Sequence, residues 1–499
     1  MRKLKIVVLS LFVLGSLGSC RDENFGDLNK DKYGAYDASY SALMSGSMMS
    51  FAQNGGNSYL MNPQLYVQYQ AQSVYTTQQI YGFERGAWGR YYANQIVNLD
   101  KIIADYSNNP TPAMLTQGAA ENMIGVSKIF KSIIYKRITD TYGDIPYSEA
   151  AKIGEGLRTP KYDTQEAVYK GIIKDLQEGR NMLNTAKTAV QGDILYQGST
   201  ANWKRLANSV LLQTALQLSK KYPGASGFAA QTFNEALSNS GGVIETTAQE
   251  AYWTFSSASL VANPLNTFRA ADYYLSREFT ESLKGAANTF NRTSNHTLDK
   301  RLSVFSTGGN TGTGLAYGYT VDDLTAAGLD NSANAAQQST KFKGADAPMA
   351  LMTAGYTYLN RAEAAQLGWT AESATAMLTL GITRSYQTLD AKYGSAIAAD
   401  AVAYAAARVV DYAAAPAKVI AEEKWVALFN QGFDSWSEWR RTGYPTLLPA
   451  HSAINGGKIP TRMPYPLEEA NYNATNYNEA VSRLSPAEDK NTSKFWWEL

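Results

Sequence analysis

The chain has one cysteine, Cys20, and two histidines, His296 and His451, in 499 residues. A single cysteine forms no intramolecular disulfide and no Cys-x-x-Cys pair. The two histidines lie in separate loops, so no HExxH zinc helix and no His-centred triad with a second histidine is available. A G-x-S-x-G nucleophile elbow and a G-x-x-x-x-G-K-[ST] phosphate loop are also missing, and GEGLRT at 154–159 starts like a dinucleotide fingerprint but lacks its third glycine. Charge of one sign is equally scarce: 45 Lys and Arg stand against 44 Asp and Glu, a formal net charge of +1. No whole-protein field recruits nucleic acid or another polyanion, so the partner is neutral or matched locally. Carboxylate pairs suited to glycoside hydrolysis stay open, since 44 acids allow many spatial pairs. The chemistry left over favours binding without catalysis, with no cofactor and no metal centre. Long apolar runs are confined to the N-terminus, because the Ala-rich stretch 399–419 carries Asp400, Arg408 and Asp411.

At the N-terminus, Arg2, Lys3 and Lys5 precede an apolar run from Ile6 to Val13, with Leu14 and Leu17, and then Gly15, Ser16, Gly18 and Ser19. A basic region, a short apolar region and small residues at a cleavage point read as a signal peptide over 1–19. The apolar part is shorter than the roughly 20 residues that span a bilayer. A lone cysteine is a buried small hydrophobe, a reactive thiol, a metal ligand or an attachment point, and its place decides among them. Leu17-Gly18-Ser19-Cys20 resembles the lipobox of bacterial lipoproteins, which implies acylation of Cys20 and a membrane anchor. Asp22 and Glu23 resemble the signal that exports such lipoproteins to the cell surface in Bacteroidetes. The expected organisation is a signal peptide at 1–19, a lipidated tether at 20–35 and one helical domain with long loop insertions at 36–499.

Helical periodicity dominates the rest. In 121–138, Met123, Val126, Phe130, Ile133 and Ile134 share a face; in 163–183, Val168, Ile172 and Leu176 do so behind a capping pair read as Asp163 and Glu166; in 201–219, Trp203, Leu206, Val210 and Leu211 repeat the pattern. Further helices are predicted over 36–52, 88–105, 272–284, 349–368, 395–412 and 415–430. The fold class is mainly α, with helix pairs of tetratricopeptide kind but no clean 34-residue period. Between the helices lie long polar stretches at 53–87, 239–271, 285–345 and 442–487. Loops of this length in a folded protein are functional or disordered, and their aromatic content favours an ordered surface. The chain carries 33 tyrosines. Tyrosine pairs an apolar face with a polar edge, which suits sugar or peptide ligands as well as half-buried helix positions.

Five stretches in order, ITDTYGDIPYSEA (138–150), NWKRLANSVLLQTALQLSKKY (202–222), YLNRAEAAQLGW (358–369), EEKWVALFNQGFDSWSEWRRTGYPTL (422–447) and GKIPTRMPYPLEEANYN (457–473), together with the lipobox, resemble the SusD-like branch of the SusD/RagB family. The resemblance implies a scaffold of tetratricopeptide-like helix pairs with a loop-rich, irregular ligand-binding side. It also implies a surface lipoprotein that binds oligosaccharides or peptides and serves as a lid for a SusC-like TonB-dependent outer-membrane transporter. The competing class is a helical interaction scaffold in the outer membrane without a ligand of its own.

Candidate site residues come from the aromatic loop before the second long helix. Tyr75, Tyr81, Arg85 and Trp88 combine stacking faces with hydrogen-bonding edges, as a polyhydroxylated or amide-rich ligand requires. The family resemblance implies a Trp here with an Asn about one helical turn on, a pattern matched by Trp88, Tyr91 and Asn94. Trp253 in AYWTF, close to NPLNTFR, is expected to form a second wall. Each of these also reads as ordinary loop packing. Asp140, Asp144 and Glu149 are read as a helix end and turn at Gly143, and Trp425, Phe429, Trp436 and Trp439 as helix packing; Arg440 and Arg441 are left outside the site.

Overall fold

The structure is a computed structural model that describes residues 39–82, 85–269 and 271–499. The signal peptide, the tether and the lipidation residue Cys20 lie outside the described residues. Helices carry the architecture: α1 (Tyr40–Ala52), α2 (Val97–Asn108), α3 (Ala120–Tyr142), α4 (Gln165–Met182), α5 (Thr200–Gln217) and α6 (Phe228–Ser238) come first. After a short α7 (Arg277–Lys284), the chain forms α8 (Ala354–Gln366), α9 (Ala374–Tyr393), α10 (Ala401–Ala414), α11 (Pro416–Ala427) and α12 (Gly432–Thr442). Consecutive helices pack as pairs, α3 with α4, α5 with α6, α8 with α9 and α10 with α11, and α8 also rests on α5 and α11. Among the described residues, six short strands form three two-stranded antiparallel ribbons, β1 (Gln70–Gln72) with β5 (Tyr273–Leu275), β2 (Ile145–Pro146) with β3 (Tyr162–Asp163), and β4 (Ala251–Trp253) with β6 (Met349–Met352).

The stripes predicted for α3, α4 and α5 are buried, and α3 and α5 are buried on almost every side as the central helices. Each buried Leu, Ile or Phe side chain contributes on the order of 1.5–3 kcal/mol by leaving water. Two of the helix pairs meet through facing glycines. A Cβ on Gly125 of α3 would sit 2.7 Å from the Gly179 carbonyl of α4, and one on Gly355 of α8 would sit 3.0 Å from the Gly381 carbonyl of α9. Without side chains at these crossings the backbones come into direct contact.

The α4 cap is Thr164, not Asp163: the Thr164 hydroxyl accepts from the Ala167 amide, while Asp163 accepts from the Tyr147 and Ser148 amides. The segment 272–284 opens as strand β5 and turns helical only after the Ser276 cap, and 349–368 opens as β6 before the Thr353 cap. In both, apolar residues that suit a helix face are paired across a ribbon first. Helix α3 ends at Tyr142 and Gly143 follows at φ 94°, the helix end and turn expected of ITDTYGDIP.

Candidate functional site

The loop from 68 to 90 lies against distant parts of the chain. Ribbon β1–β5 pins its start, and Asp272 accepts from the Val74 and Tyr75 amides at 2.8 and 3.0 Å. Its end is held by the C-terminal segment: the Gly86 amide donates to the Pro464 carbonyl at 2.8 Å, and Arg85 pairs with Asp489 at 2.5 Å.

Trp88 is expected to face a ligand but is 5% exposed. Its ring sits among Tyr92, Tyr142, Tyr162 and Tyr465 at centroid distances of 5.1–5.9 Å. The four tyrosine hydroxyls donate to Pro146, Ala87, Glu469 and Asp144 in turn, so the cluster is closed by its own hydrogen bonds. Tyr91 and Trp253 are likewise interior, packed against Phe51 at 6.2 and 6.1 Å. Tyr81 is buried with φ 70°, its hydroxyl accepting from the Ala450 amide at 2.9 Å. Burial pushes the Tyr81 and Tyr91 phenols up to about 12. These four rings therefore brace the loops and offer no open face, because aromatic area this large is taken up by the core wherever neighbouring loops close over it.

Tyr75 and Asn94 are the expected residues that reach the surface, with Arg85 half-exposed in its ion pair. Tyr75 is 62% exposed, and the Arg269 guanidinium stands 4.4 Å from its ring centroid while pairing with Asp272 at 2.5 Å. The Arg269 guanidinium over the exposed Tyr75 ring forms a flat platform at the surface.

Asn94 lines a groove of about 610 Å³. Four other cavities measure only 10–50 Å³, room for a few water molecules at most. The groove has the size of a small-ligand site. One wall is the end of α1 (Ser50, Gln53), a second is the start of the helix that leads into α2 (Arg90, Asn94), and the third is the loop bearing Ser257, Leu260, Pro264, Asn266 and Thr267. Gln53 donates to the Leu260 carbonyl at 2.7 Å, and Asn263 beneath donates to the Phe342 and Ala347 carbonyls, so the loop is tied down from both ends. Two π-helical turns flank the site, Asn57–Met61 and Tyr91–Ile96. Such turns are rare and frequent at functional sites, since the extra residue shifts the side chains that follow. The lining is amide, hydroxyl and aliphatic, with a single charge, Arg90.

Of the residues lining this groove, the sequence reading named Asn94 but not Ser50, Gln53, Arg90 or Thr267. The signal available was Arg90 four residues before Asn94, on the same side of one helix, and the NPLNTFR segment quoted beside Trp253.

Little else among the described residues offers chemistry. No three His, Cys, Asp or Glu there are grouped to hold a metal ion. His451 stacks on Tyr319 at 4.3 Å with its Nδ1 3.5 Å from the Ser452 hydroxyl, and that hydroxyl donates to Asp323 at 2.5 Å, so its proton is directed to the carboxylate and not to the ring. No helix among the described residues is long and apolar enough to cross a membrane.

Comparison with known proteins agrees with this architecture. No curated protein matches the sequence. Among solved structures, a chitin-binding protein superposes with a TM-score of 0.75 at 28% identity, covering 92% of this chain and 100% of that one. A SusD homolog from Bacteroides fragilis gives 0.77 at 19% identity over 93% and 100%, and a chitin-binding SusD homolog from Flavobacterium johnsoniae gives 0.71 at 21% over 91% and 98%. The family model SusD-like_2, described as starch-binding associating with outer membrane, matches residues 33–466, and the chain belongs to this SusD-like family.

Proposed function

We propose that the protein is a cell-surface nutrient-binding lipoprotein that captures an oligosaccharide in the groove beside Asn94 and passes it to a SusC-like TonB-dependent transporter. The observation that carries this reading is the groove itself, of about 610 Å³ and lined by amides and hydroxyls with one charge. Hydroxyl-rich ligands need many neutral donors and acceptors at fixed positions, with apolar patches such as Leu260 and Pro264 for sugar faces. Family membership supports the same reading, as does the chitin-binding protein to which the chain is 28% identical. Tyr75, stacked with Arg269, extends the surface as a platform for a further sugar or peptide unit. Arg85, Trp88, Tyr81, Tyr91 and Trp253 act by holding the loops in place. The groove suits oligosaccharides better than peptides, because amide and hydroxyl side chains make up most of its lining.

Anchoring through Cys20 places the protein on the outer membrane, facing the exterior. Cys20→Ala is expected to release it from membranes with ligand affinity intact. Calorimetry of the full chain in a polyoxyethylene detergent, against oligosaccharide and peptide libraries, tests the ligand class. Turnover of the ligand during the titration would contradict a role in binding alone.

One observation favours a docking role for the helical side. Val402 and Val410 on α10 are 72% and 73% exposed, on a face continued by exposed Ala403, Ala406, Ala413 and Ala414. Co-purification from solubilised membranes separates the readings: a transporter lid comes with a large β-barrel, a scaffold without one.

A further inference from the structure

The groove is electrically lopsided. Among the described residues that line it, Arg90 alone is charged and none is a carboxylate. Arg90 forms no ion pair among the described residues, although most other arginines in the molecule do. It is nevertheless held in place. Its guanidinium lies 5.6 Å from the centroid of the Tyr59 ring, and its backbone amide donates to the Tyr59 hydroxyl at 3.3 Å. The cation–π contact fixes one face of the planar group without satisfying its N–H donors. Those donors remain for whatever enters the groove. Four residues on, the exposed Asn94 lines the same groove with no side-chain hydrogen bond among the described residues, and Thr267 lines it from the opposite loop.

From this arrangement we infer that the groove selects an acidic oligosaccharide, one in which a sugar carboxylate pairs with Arg90 while neighbouring neutral sugars meet Asn94, Gln53 and Thr267. This rests on the reading of the groove as the ligand site. A guanidinium matches a carboxylate through two parallel N–H···O bonds, which a neutral hydroxyl cannot reproduce. The single cation also sets an upper limit: a densely sulfated or uniformly acidic chain would bring several charges into a groove that neutralises one. The expected ligand therefore carries an isolated acidic sugar among neutral ones. A carboxylate at the C-terminus of a peptide offers the same group, but the hydroxyl- and amide-rich walls favour a sugar.

The test uses the full chain in a polyoxyethylene detergent on an array of acidic oligosaccharides, each printed beside its carboxyl-reduced neutral counterpart, with sulfated oligosaccharides and free-acid and amidated peptides alongside. The expected result is a preference of tenfold or more for at least one carboxylated glycan over its reduced form. Arg90→Gln should abolish that preference, and Arg90→Lys should retain part of it. Asn94→Ala combined with Thr267→Val should weaken both members of the pair. Equal binding of acidic and reduced glycans, unchanged in Arg90→Gln but weakened by the Asn94 and Thr267 changes, overturns the inference and leaves the groove reading standing. An acidic preference that survives Arg90→Gln, a stronger response to sulfated chains, or binding only of free-acid peptides overturns it too. Glycan binding that none of these substitutions alters, or no binding on the array, overturns both.

Discussion

Arg301 and Arg408, beneath α11, are fully buried and surrounded by carboxylates, whereas Arg90 at the groove is exposed and faces none. Arg301 pairs with Asp299 and Glu423 at 2.7 and 2.6 Å; Arg408 pairs with Asp411, Glu422 and Glu423 at 2.6–2.8 Å. Next along α11, Lys424 pairs with Glu363 and Glu438, which also hold Arg441. Burial by itself would raise the Glu363 carboxyl, but the Arg441 and Lys424 charges outweigh it and hold it below the usual range. Removing charges from water costs several kcal/mol per ion, of order, and only close pairing offsets it. These four cations can be buried because each has a carboxylate partner brought to it by another part of the chain. The groove keeps its one charge in water, where an absent partner costs little and an arriving one finds open donors.

That contrast can be broken at the scaffold first. Glu423→Ala strips a carboxylate from two buried guanidinium groups and should lower unfolding free energy by about 3–5 kcal/mol in urea titrations. A loss below about 1 kcal/mol would mean that the network is solvated, and the distinction between the two regions would fall. Trp88→Ala should cost about 3–4 kcal/mol through the cavity it leaves among four tyrosines, with the folded fraction binding ligand as before. If affinity fell while stability held, Trp88 would be a contact residue after all.

The pH dependence offers a third measurement. Burial pushes Glu250, between α8 and α9, from 4.5 up to about 7, against hydrogen bonds from Thr388 and the Ala354 amide. A carboxyl raised in the folded state binds its proton more tightly there than in the unfolded chain. Its contribution to stability is full below pH 4.5 and is lost as pH rises through about 7. Glu250→Gln should flatten the stability–pH curve over that window by up to about 3 kcal/mol, read from urea midpoints across pH. A slope unchanged in the variant would assign the titration elsewhere.

The smallest effect on stability is expected at the groove. Asn94→Ala and Thr267→Val each should leave unfolding free energy within about 0.5 kcal/mol, since neither side chain is buried or paired with the protein. Ligand affinity should drop about tenfold, or about 1.4 kcal/mol. Equal losses of stability and affinity would show the groove wall to be part of the scaffold.

The helical half was legible because its signal is local. The stripes of α3, α4 and α5 repeat every three to four residues, and an apolar stripe must be buried wherever the helix packs. Helix α9 escaped notice because its sequence, ATAMLTLGITRSYQTLDAKY, mixes threonines with a glycine, and that glycine is meaningful only once Gly355 of α8 is seen against it. The aromatic loop misled for a related reason. Sequence marks Trp88, Tyr81 and Tyr91 as large amphipathic side chains near one another; it carries no record that Tyr465, 377 positions later, closes the cluster over Trp88.

By itself, then, the sequence determined the fold class, through helical periodicity, and the family, through the resemblance carried by its ordered short segments. Only the tertiary structure decided which aromatic rings are interior, which charges are paired and where a groove opens. Those properties depend on contacts between residues far apart in the chain, such as Ser50 with Gln95 and Asn263 with Ala347, and burial is a property of the assembled surface.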